Sequence, residues 1–365
     1  MLRDTYAKID KNAFAHNIKV LEKAAGTPLM AVVKADAYGH GVAEIVKKAW
    51  ECGVKWFAVS NPDEAEDVRN TVPYAKILVL SYVMSKACDH MVQDGISVAV
   101  YRSEHIFEMQ KSAEKLNKKA YVHLKADTGM GRIGFRTDEE LSEVLNALSE
   151  CPDVVLEGYF THFASADEAD LTFAHEQLDR YWHFREMIFA QGYVPLCHAS
   201  NSAGIIALED AHFDICRAGI SMYGYPPSDE IDMKDMSLKP VMSLISYISY
   251  VKNIEAGSGV SYGRTFIAPG ISKIATVPIG YADGYLRSLS NKAFAYINGK
   301  RVPQVGRVCM DQIMFDVTGI DVNEGDIIEL FGEHVGADEL AKQAGTISYE
   351  LLTGITKRVP RVYIP

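Results

Sequence analysis

Between residues 29 and 219 the chain repeats one pattern: a short β-branched or aromatic run, then a stretch with helical signals, at intervals of about 20 to 40 residues. The runs are LMAVV (29–33), WFAVS (56–60), KILVL (76–80), ISVAV (96–100), AYVHLK (120–125), VVLEGYFTH (154–162), PLCHAS (195–200) and FDICRAG (213–219). Between them GVAEIVKKAWEC, NPDEAEDVRNT, SEHIFEMQKSAEKLN, TDEELSEVLNALSE and DLTFAHEQLDRYWHFREMIFAQG read as helices. Pro62 stands near one start with acids in the same turn, and Gly192 closes the last. Eight strand-then-helix units over roughly 200 residues match an α/β chain of the (β/α)8, TIM-type class. A doubly wound sheet is the alternative on pattern alone.

The texture changes near Pro226-Pro227, where PPSDEIDMKDMSLKPVM is polar and proline-bearing. Beyond it SLISYISYVKNI, KIATVPIGYADGY, AFAYINGKRVPQVGRV and GDIIELFG alternate as strands do, and Asn298-Gly299 between apolar runs is a hairpin signal. The expected organisation is therefore a cofactor-binding barrel over 1–232 and a β-rich domain over 233–365.

A net charge of -11 gives no electrostatic footprint for nucleic acid or an anionic membrane, so a small molecule is the default partner. The 6 cysteines are scattered, without a CxxC pair or a His/Cys cluster at metal-ligand spacing, and read as reduced thiols with no metal site. The N-terminus carries no apolar signal region, and no apolar stretch approaches spanning length. A cytoplasmic chain, neither exported nor membrane-spanning, is expected.

In such a barrel the chemistry gathers at the C-terminal ends of the strands. There the sequence places Lys34 after the first strand, Lys125 after the fifth with ADTGMGRIGF behind it, and His162 after the sixth. SNSAG (Ser200 to Gly204) follows the seventh, and RAGIS (Arg217 to Ser221) the eighth. Small residues with hydroxyls in the last two loops suit a phosphate. A lysine desolvated at a strand end loses part of its preference for the charged form and becomes a candidate Schiff-base former. Lysine, phosphate cradle and arginine on one mouth together suggest pyridoxal phosphate. Taken singly each is ordinary: a solvated lysine, a core histidine, turn glycines. Only their joint placement points to a cofactor site.

AVVKADAYGHG (31–41) resembles the cofactor-lysine motif of the alanine racemases, and the resemblance extends through LKADTGMGRIGF, HASNSAG, RAGISMYG, VSYGRTF, PIGYADGY, VGRVCMDQIMFDV and ISYELLTGITKRVPRVY. It implies a (β/α)8 barrel with a second, β-rich domain, pyridoxal 5'-phosphate as cofactor and an amino acid as substrate. By the same resemblance Lys34 holds the cofactor, Tyr38, Ser202, Gly219, Ile220 and Tyr349 surround its phosphate, and Asn201 is a further cofactor-binding residue. His162 lines the ring, Arg217 faces the pyridine nitrogen, and Arg132 holds the substrate carboxylate. Tyr262 is the second acid/base, Met310 and Asp311 border the substrate, and Lys125 matches a lysine that is carbamylated in some relatives. Tyr281, Asp170, Ala169, Arg287, Arg307 and Ile347 match the substrate corridor. A head-to-tail homodimer with composite sites is implied.

Racemisation removes a proton from one face of the α-carbon and returns one to the other, which is why two bases are wanted. An unperturbed tyrosine is a poor base at neutral pH, so positive charge is expected near Tyr262, with Arg264 a candidate. The expected activity is alanine racemisation supplying D-alanine for peptidoglycan, with serine as a further substrate. Amino-acid decarboxylases of related fold are expected to carry glutamate where Arg217 stands. A cofactor carrier made of the barrel alone needs no Tyr262, and exported broad-specificity racemases carry signal peptides.

Overall fold

The computed structural model describes residues 4–233 and 236–365, so Lys234 and Asp235 of the expected junction lie outside the described residues. The chain groups into two compact units. One holds Ala15–Ala37 and Val42–Leu238; the other holds the chain up to Phe14, Tyr38–Gly41 and Lys239–Pro365. The boundary expected at 232/233 stands a few residues before Leu238, and two earlier segments of the chain group with the second unit as well.

The chain starts with β1 (Tyr6–Asp10) and a helix, Lys11–Ala25, both upstream of the first repeat read from the sequence. The barrel strands are β2 (Leu29–Val32), β3 (Trp56–Val59), β4 (Lys76–Val79), β5 (Ser97–Val100), β6 (Ala120–Lys125), β7 (Val154–Phe160), β8 (Leu196–His198) and β9 (Cys216–Ala218). They pair in parallel in the order β8-β7-β6-β5-β4-β3-β2-β9. Between β8 and β9, Asp214 N–H donates to Cys197 O (3.1 Å) and Arg217 N–H to Ser200 O (3.0 Å), so the ring is nearly closed. The barrel alternative holds and the doubly wound one does not.

Four-residue apolar strands suffice because helices cover the outside and side chains fill the inside, so nearly every strand position is buried. Their helices start where the sequence predicts. Asn61 caps Pro62–Thr71 by accepting from Glu64 N–H, and Thr137 caps Asp138–Glu150 by accepting from Glu140 N–H. No helix of the described residues is long and apolar enough to cross a membrane.

In the second unit β1 runs between Met242–Tyr247, antiparallel, and Arg361–Ile364, parallel, within a six-stranded sheet. Tyr250–Ile254, Ser272–Val277 and Ile313–Asp316 form a three-stranded sheet. The Asn298-Gly299 hairpin joins Phe294–Ile297 to Lys300–Pro303, with φ of 47° and 81° at its two turn residues.

One polar cluster sits inside the barrel wall. Glu157 in β7 accepts from Lys76 Nζ (2.6 Å) and from the Ser97 hydroxyl, and His123 Nε2 stands 3.6 Å from its Oε2. Gly158 leaves the space that the His123 ring occupies, where a Cβ would collide with it. Burial works against the Glu157 charge, but the His123 ring, Lys76 and Ser97 overcome it and hold the carboxyl at about 2. Burial keeps the His123 imidazole below its ordinary range. A carboxyl depressed in the folded state stabilises above its unfolded range, and that contribution disappears as pH falls from about 4.5 toward about 2. Glu157→Gln is therefore expected to destabilise the barrel by about 1–2 kcal/mol at neutral pH, with allowance for its partly exposed edge. Thermal unfolding of both proteins across pH checks this: the two should converge in acid, and a constant difference contradicts the assignment.

Candidate active site

Val33 still donates its N–H to Ala58 O (2.9 Å), so Lys34 is the first residue to leave the barrel wall. The chain then enters a left-handed turn: Ala35, Asp36, Ala37 and Tyr38 have φ of 52°, 53°, 52° and 54°. L-residues in this conformation cost ~1–2 kcal/mol each, so the four together cost ~4–8 kcal/mol that local bonding must offset. Ala37 N–H donates to Val33 O (2.9 Å), and Asp36 Oδ1 accepts from Val42 N–H (2.8 Å). Gly39 and Gly41 also have positive φ. A methyl group on Gly39 would strike the Leu352 carbonyl, and one on Gly41 the Tyr363 hydroxyl. The glycines of the AYGHG stretch are thus fixed by close approach as well as by turning.

The Lys34 amine is half-buried, and its affinity for a proton is lowered by burial first and by Arg132 second, with Glu64 opposing both. The barrel unit gathers the other expected barrel residues on this mouth. Arg217 is 3% exposed, and its guanidinium donates to the carbonyls of Thr161 (2.7 Å), Ala199 (2.8 Å) and His198 (2.9 Å) and to His198 Nδ1 (2.9 Å). Burial lowers its pKa to about 10, so it remains a cation at neutral pH. Because arginine can only donate, His198 Nδ1 must be unprotonated. His198 Nε2–H then donates to His123 Nδ1 (2.9 Å), which leaves the His123 Nε2–H facing Glu157. Burial, then the Arg217 charge, keep His162 well below its ordinary range, and its Nδ1 lies 3.5 Å from Arg217 Nη2.

Lys125 is 3% exposed and donates to Ala126 O (2.6 Å). Burial, then Arg217, bring its pKa to about 7, and Arg132 pushes the same way against Asp127. Lys125 Nζ and Arg217 Cζ both lie 5.4 Å from the Phe160 ring centre. Arg132 itself stands on an exposed loop held shut at its base. Asp127 N–H donates to Phe135 O (2.9 Å), Phe135 N–H donates to Lys125 O (3.1 Å), and Asp127 Oδ1 accepts from the amides of Gly129 and Gly131. The glycines of ADTGMGRIGF are turn residues of that loop.

The two phosphate-type loops are tied to each other. Asn201 caps the helix Ser202–Ala207 by accepting from Gly204 N–H (2.9 Å), and Ser202 Oγ accepts from Gly219 N–H (2.9 Å). Ile220 begins the next turn, and Ser221 Oγ is fully buried with no hydrogen-bond partner among the described residues. A buried hydroxyl without a partner, small residues in both loops and a lysine with lowered proton affinity fit the aldehyde and phosphate of pyridoxal phosphate.

Of the remaining expected residues, Ala169 and Asp170 lie in the barrel unit, and Tyr38, Tyr262, Tyr281, Arg287, Arg307, Met310, Asp311, Ile347 and Tyr349 lie in the second unit. Tyr38 and Tyr349 have ring centres 6.1 Å apart. Ser261 donates to Arg307 O (2.7 Å) and lies 3.3 Å from Cys309 Sγ, so the segment that carries Tyr262 is tied to the segment that carries Met310. Tyr281 N–H donates to Cys309 O (3.0 Å), and Arg358 bridges Asp311 (2.8 Å) and Asp283 (3.4 Å). Arg264 donates to Gly257 O (3.2 Å), while the Arg307 guanidinium packs on Gly263, next to Tyr262.

Sequence reasoning missed His198, Thr161 and Glu64. His198 and Thr161 lie at strand ends that the sequence marks as functional, so strand-end position was the available signal; nothing local marks Glu64. Among the described residues no cluster of metal-ligating side chains occurs.

The family model described as alanine racemase, N-terminal domain, matches residues 9–227, and that described as alanine racemase, C-terminal domain, matches residues 241–363. Alanine racemase of Clostridium perfringens (strain SM101 / Type A) is 42% identical over 99% of this chain and 96% of its own length. The structure of alanine racemase from Clostridium difficile 630 superposes with a TM-score of 0.95 at 37% identity, covering 100% of this chain and 96% of that one. Alanine racemase from Bacillus anthracis with bound L-Ala-P gives a TM-score of 0.94 at 35% identity, with coverage of 100% and 96%. With both domain descriptions met in order along nearly its whole length, this chain belongs to the alanine racemase family.

Proposed function

We propose that the chain interconverts L-alanine and D-alanine with pyridoxal phosphate, using Lys34 and Tyr262 as the two bases. The observation that carries this reading is Lys34 itself, an amine with lowered proton affinity at a strand end, on the same barrel unit as buried Arg217 and the paired loops of Ser202 and Ser221. Bound cofactor supplies an electron sink conjugated to the α-carbon of the amino acid. The Lys34 amine takes or returns the proton on one face, and the Tyr262 hydroxyl serves the other. Arg132 holds the substrate carboxylate, with Met310 and Asp311 at the substrate's edge. Asn201, Ser202, Gly219, Ile220, Tyr38 and Tyr349 hold the phosphate, and His162 lines the ring.

Arg217 stays protonated and has every donor on its Nη atoms committed to carbonyls or imidazole, so it does not hand a proton to the pyridine nitrogen. That restrains the sink and favours return of the proton to the α-carbon. It is also the reason to set aside decarboxylation, for which an acid at this position is expected.

The homodimer is the second part of the reading. Tyr262 is 72% exposed, Met310 53% and Ile347 59%, apolar groups that a second copy would cover while receiving Tyr262 at its barrel mouth. The cellular role we infer is cytoplasmic supply of D-alanine for peptidoglycan. For Lys125 we propose a carbamate: with a pKa brought to about 7 a substantial share of the amine is neutral at physiological pH and can add carbon dioxide with loss of a proton, and the anion formed would be favoured by the charges of Arg217 and Arg132.

Purified protein with cofactor is expected to form D-alanine from L-alanine, and L-serine in the same assay measures substrate breadth. No racemisation of either sinks the enzyme reading. Lys34→Ala should lose both the covalent chromophore and turnover, whereas Tyr262→Phe should keep the chromophore and lose about 10²–10⁴-fold in rate. Isotopically labelled bicarbonate should give a carbamate carbon resonance that vanishes in Lys125→Ala; a wild-type spectrum without it removes the carbamate.

A further inference from the structure

Glu64 lies on the third position of the helix Pro62–Thr71, where a carboxylate ordinarily turns back onto its own helix start. Here it does something else. Oε1 accepts from the N–H of Ala35 (2.7 Å), and Oε2 accepts from both the N–H and the hydroxyl of Ser60 (2.8 Å each). Its own N–H donates to Asn61 Oδ1 (3.0 Å), which fixes the position of the carboxylate at the helix start. The side chain therefore fastens the residue after Lys34 to the end of the neighbouring barrel strand.

That fastening falls on the weakest part of the left-handed turn. Ala37 is buried, but Ala35 and Asp36 are exposed, so packing does little to keep them in an unfavourable conformation. Hydrogen bonds must do it: Glu64 on the amide of Ala35, and Asp36 on the amide of Val42. Glu64 also strengthens the Lys34 amine's hold on its proton, against the effect of Arg132.

We propose that Glu64 is a positioning residue that locks the left-handed turn and so fixes the direction in which Lys34 leaves the barrel. This rests on the reading of Lys34 as the cofactor lysine.

The test uses the full-length protein with pyridoxal phosphate and compares wild type, Glu64→Gln, Glu64→Ala and Lys34→Ala. Glu64→Gln keeps size and shape, but its single carbonyl oxygen cannot serve both Ala35 and Ser60. Amide hydrogen exchange over residues 33–41 is expected to rise about tenfold in Glu64→Gln and more in Glu64→Ala, the equivalent of one hydrogen bond to a charged acceptor. Exchange in the other barrel strands should not change. Formation of the covalent chromophore from apoprotein and cofactor should slow by a similar factor in both variants. Unchanged exchange over 33–41, an unchanged rate of chromophore formation, or a rise spread evenly over the barrel each overturns the proposal. Lys34→Ala separates the two levels: a covalent chromophore that survives there overturns the reading of Lys34, whatever the Glu64 variants do.

Discussion

A guanidinium sealed from water is the constraint around which the barrel mouth is organised. A buried cation is tolerated only when its donors are met, and Arg217 meets them with carbonyls from the ends of β7 and β8 and with an imidazole. Those carbonyls are free to accept because the strands have just ended at Phe160 and His198. The same bonds orient His198, and through it His123, so the direction of every proton from Arg217 to the Glu157 cluster follows from arginine having no acceptor. Fold closure and site electrostatics are one set of interactions here.

The mouth is cationic although the chain as a whole carries -11. Lys34, Lys125 and Arg217 are pressed together with Arg132, and each depresses its neighbours' hold on protons. A cluster of this sign attracts anionic company. A phosphate, a substrate carboxylate and a carbamate would each supply it, while Asp127 and Glu64 are the acids on the spot. Burial and these cations loosen the hold of the lysine amines on their protons, in the direction a nucleophile and base requires.

Much of this was legible in the sequence. Eight barrel strands could be placed because buried parallel strands are short apolar runs and their helices carry caps and periodicity; the strand ends then pointed to Lys34, Lys125, His162 and Arg217. Two things were not legible. The left-handed turn after Lys34 has no compositional mark, since Ala35, Asp36 and Ala37 look like helix formers and the bonds that hold the conformation run outside the turn to Val33, Val42 and Glu64. Glu64 looks like an ordinary first-turn acid because its partner is 29 residues away in the chain. Arg264 is near Tyr262 in sequence, but its guanidinium is engaged at Gly257, and Arg307, some forty residues on, is the arginine against Gly263.

β1 carries a consequence for how the molecule is made. It is an interior strand of the second unit's sheet, flanked by Met242–Tyr247 and Arg361–Ile364, yet it precedes every barrel strand in the sequence. Every barrel strand is complete by Ala218, so that ring can close while synthesis continues. β1 must wait for residues at the far end of the chain before its second edge is covered. Residues 6–10 and 361–364 thus meet in one sheet, and deleting either segment removes a strand from the same place.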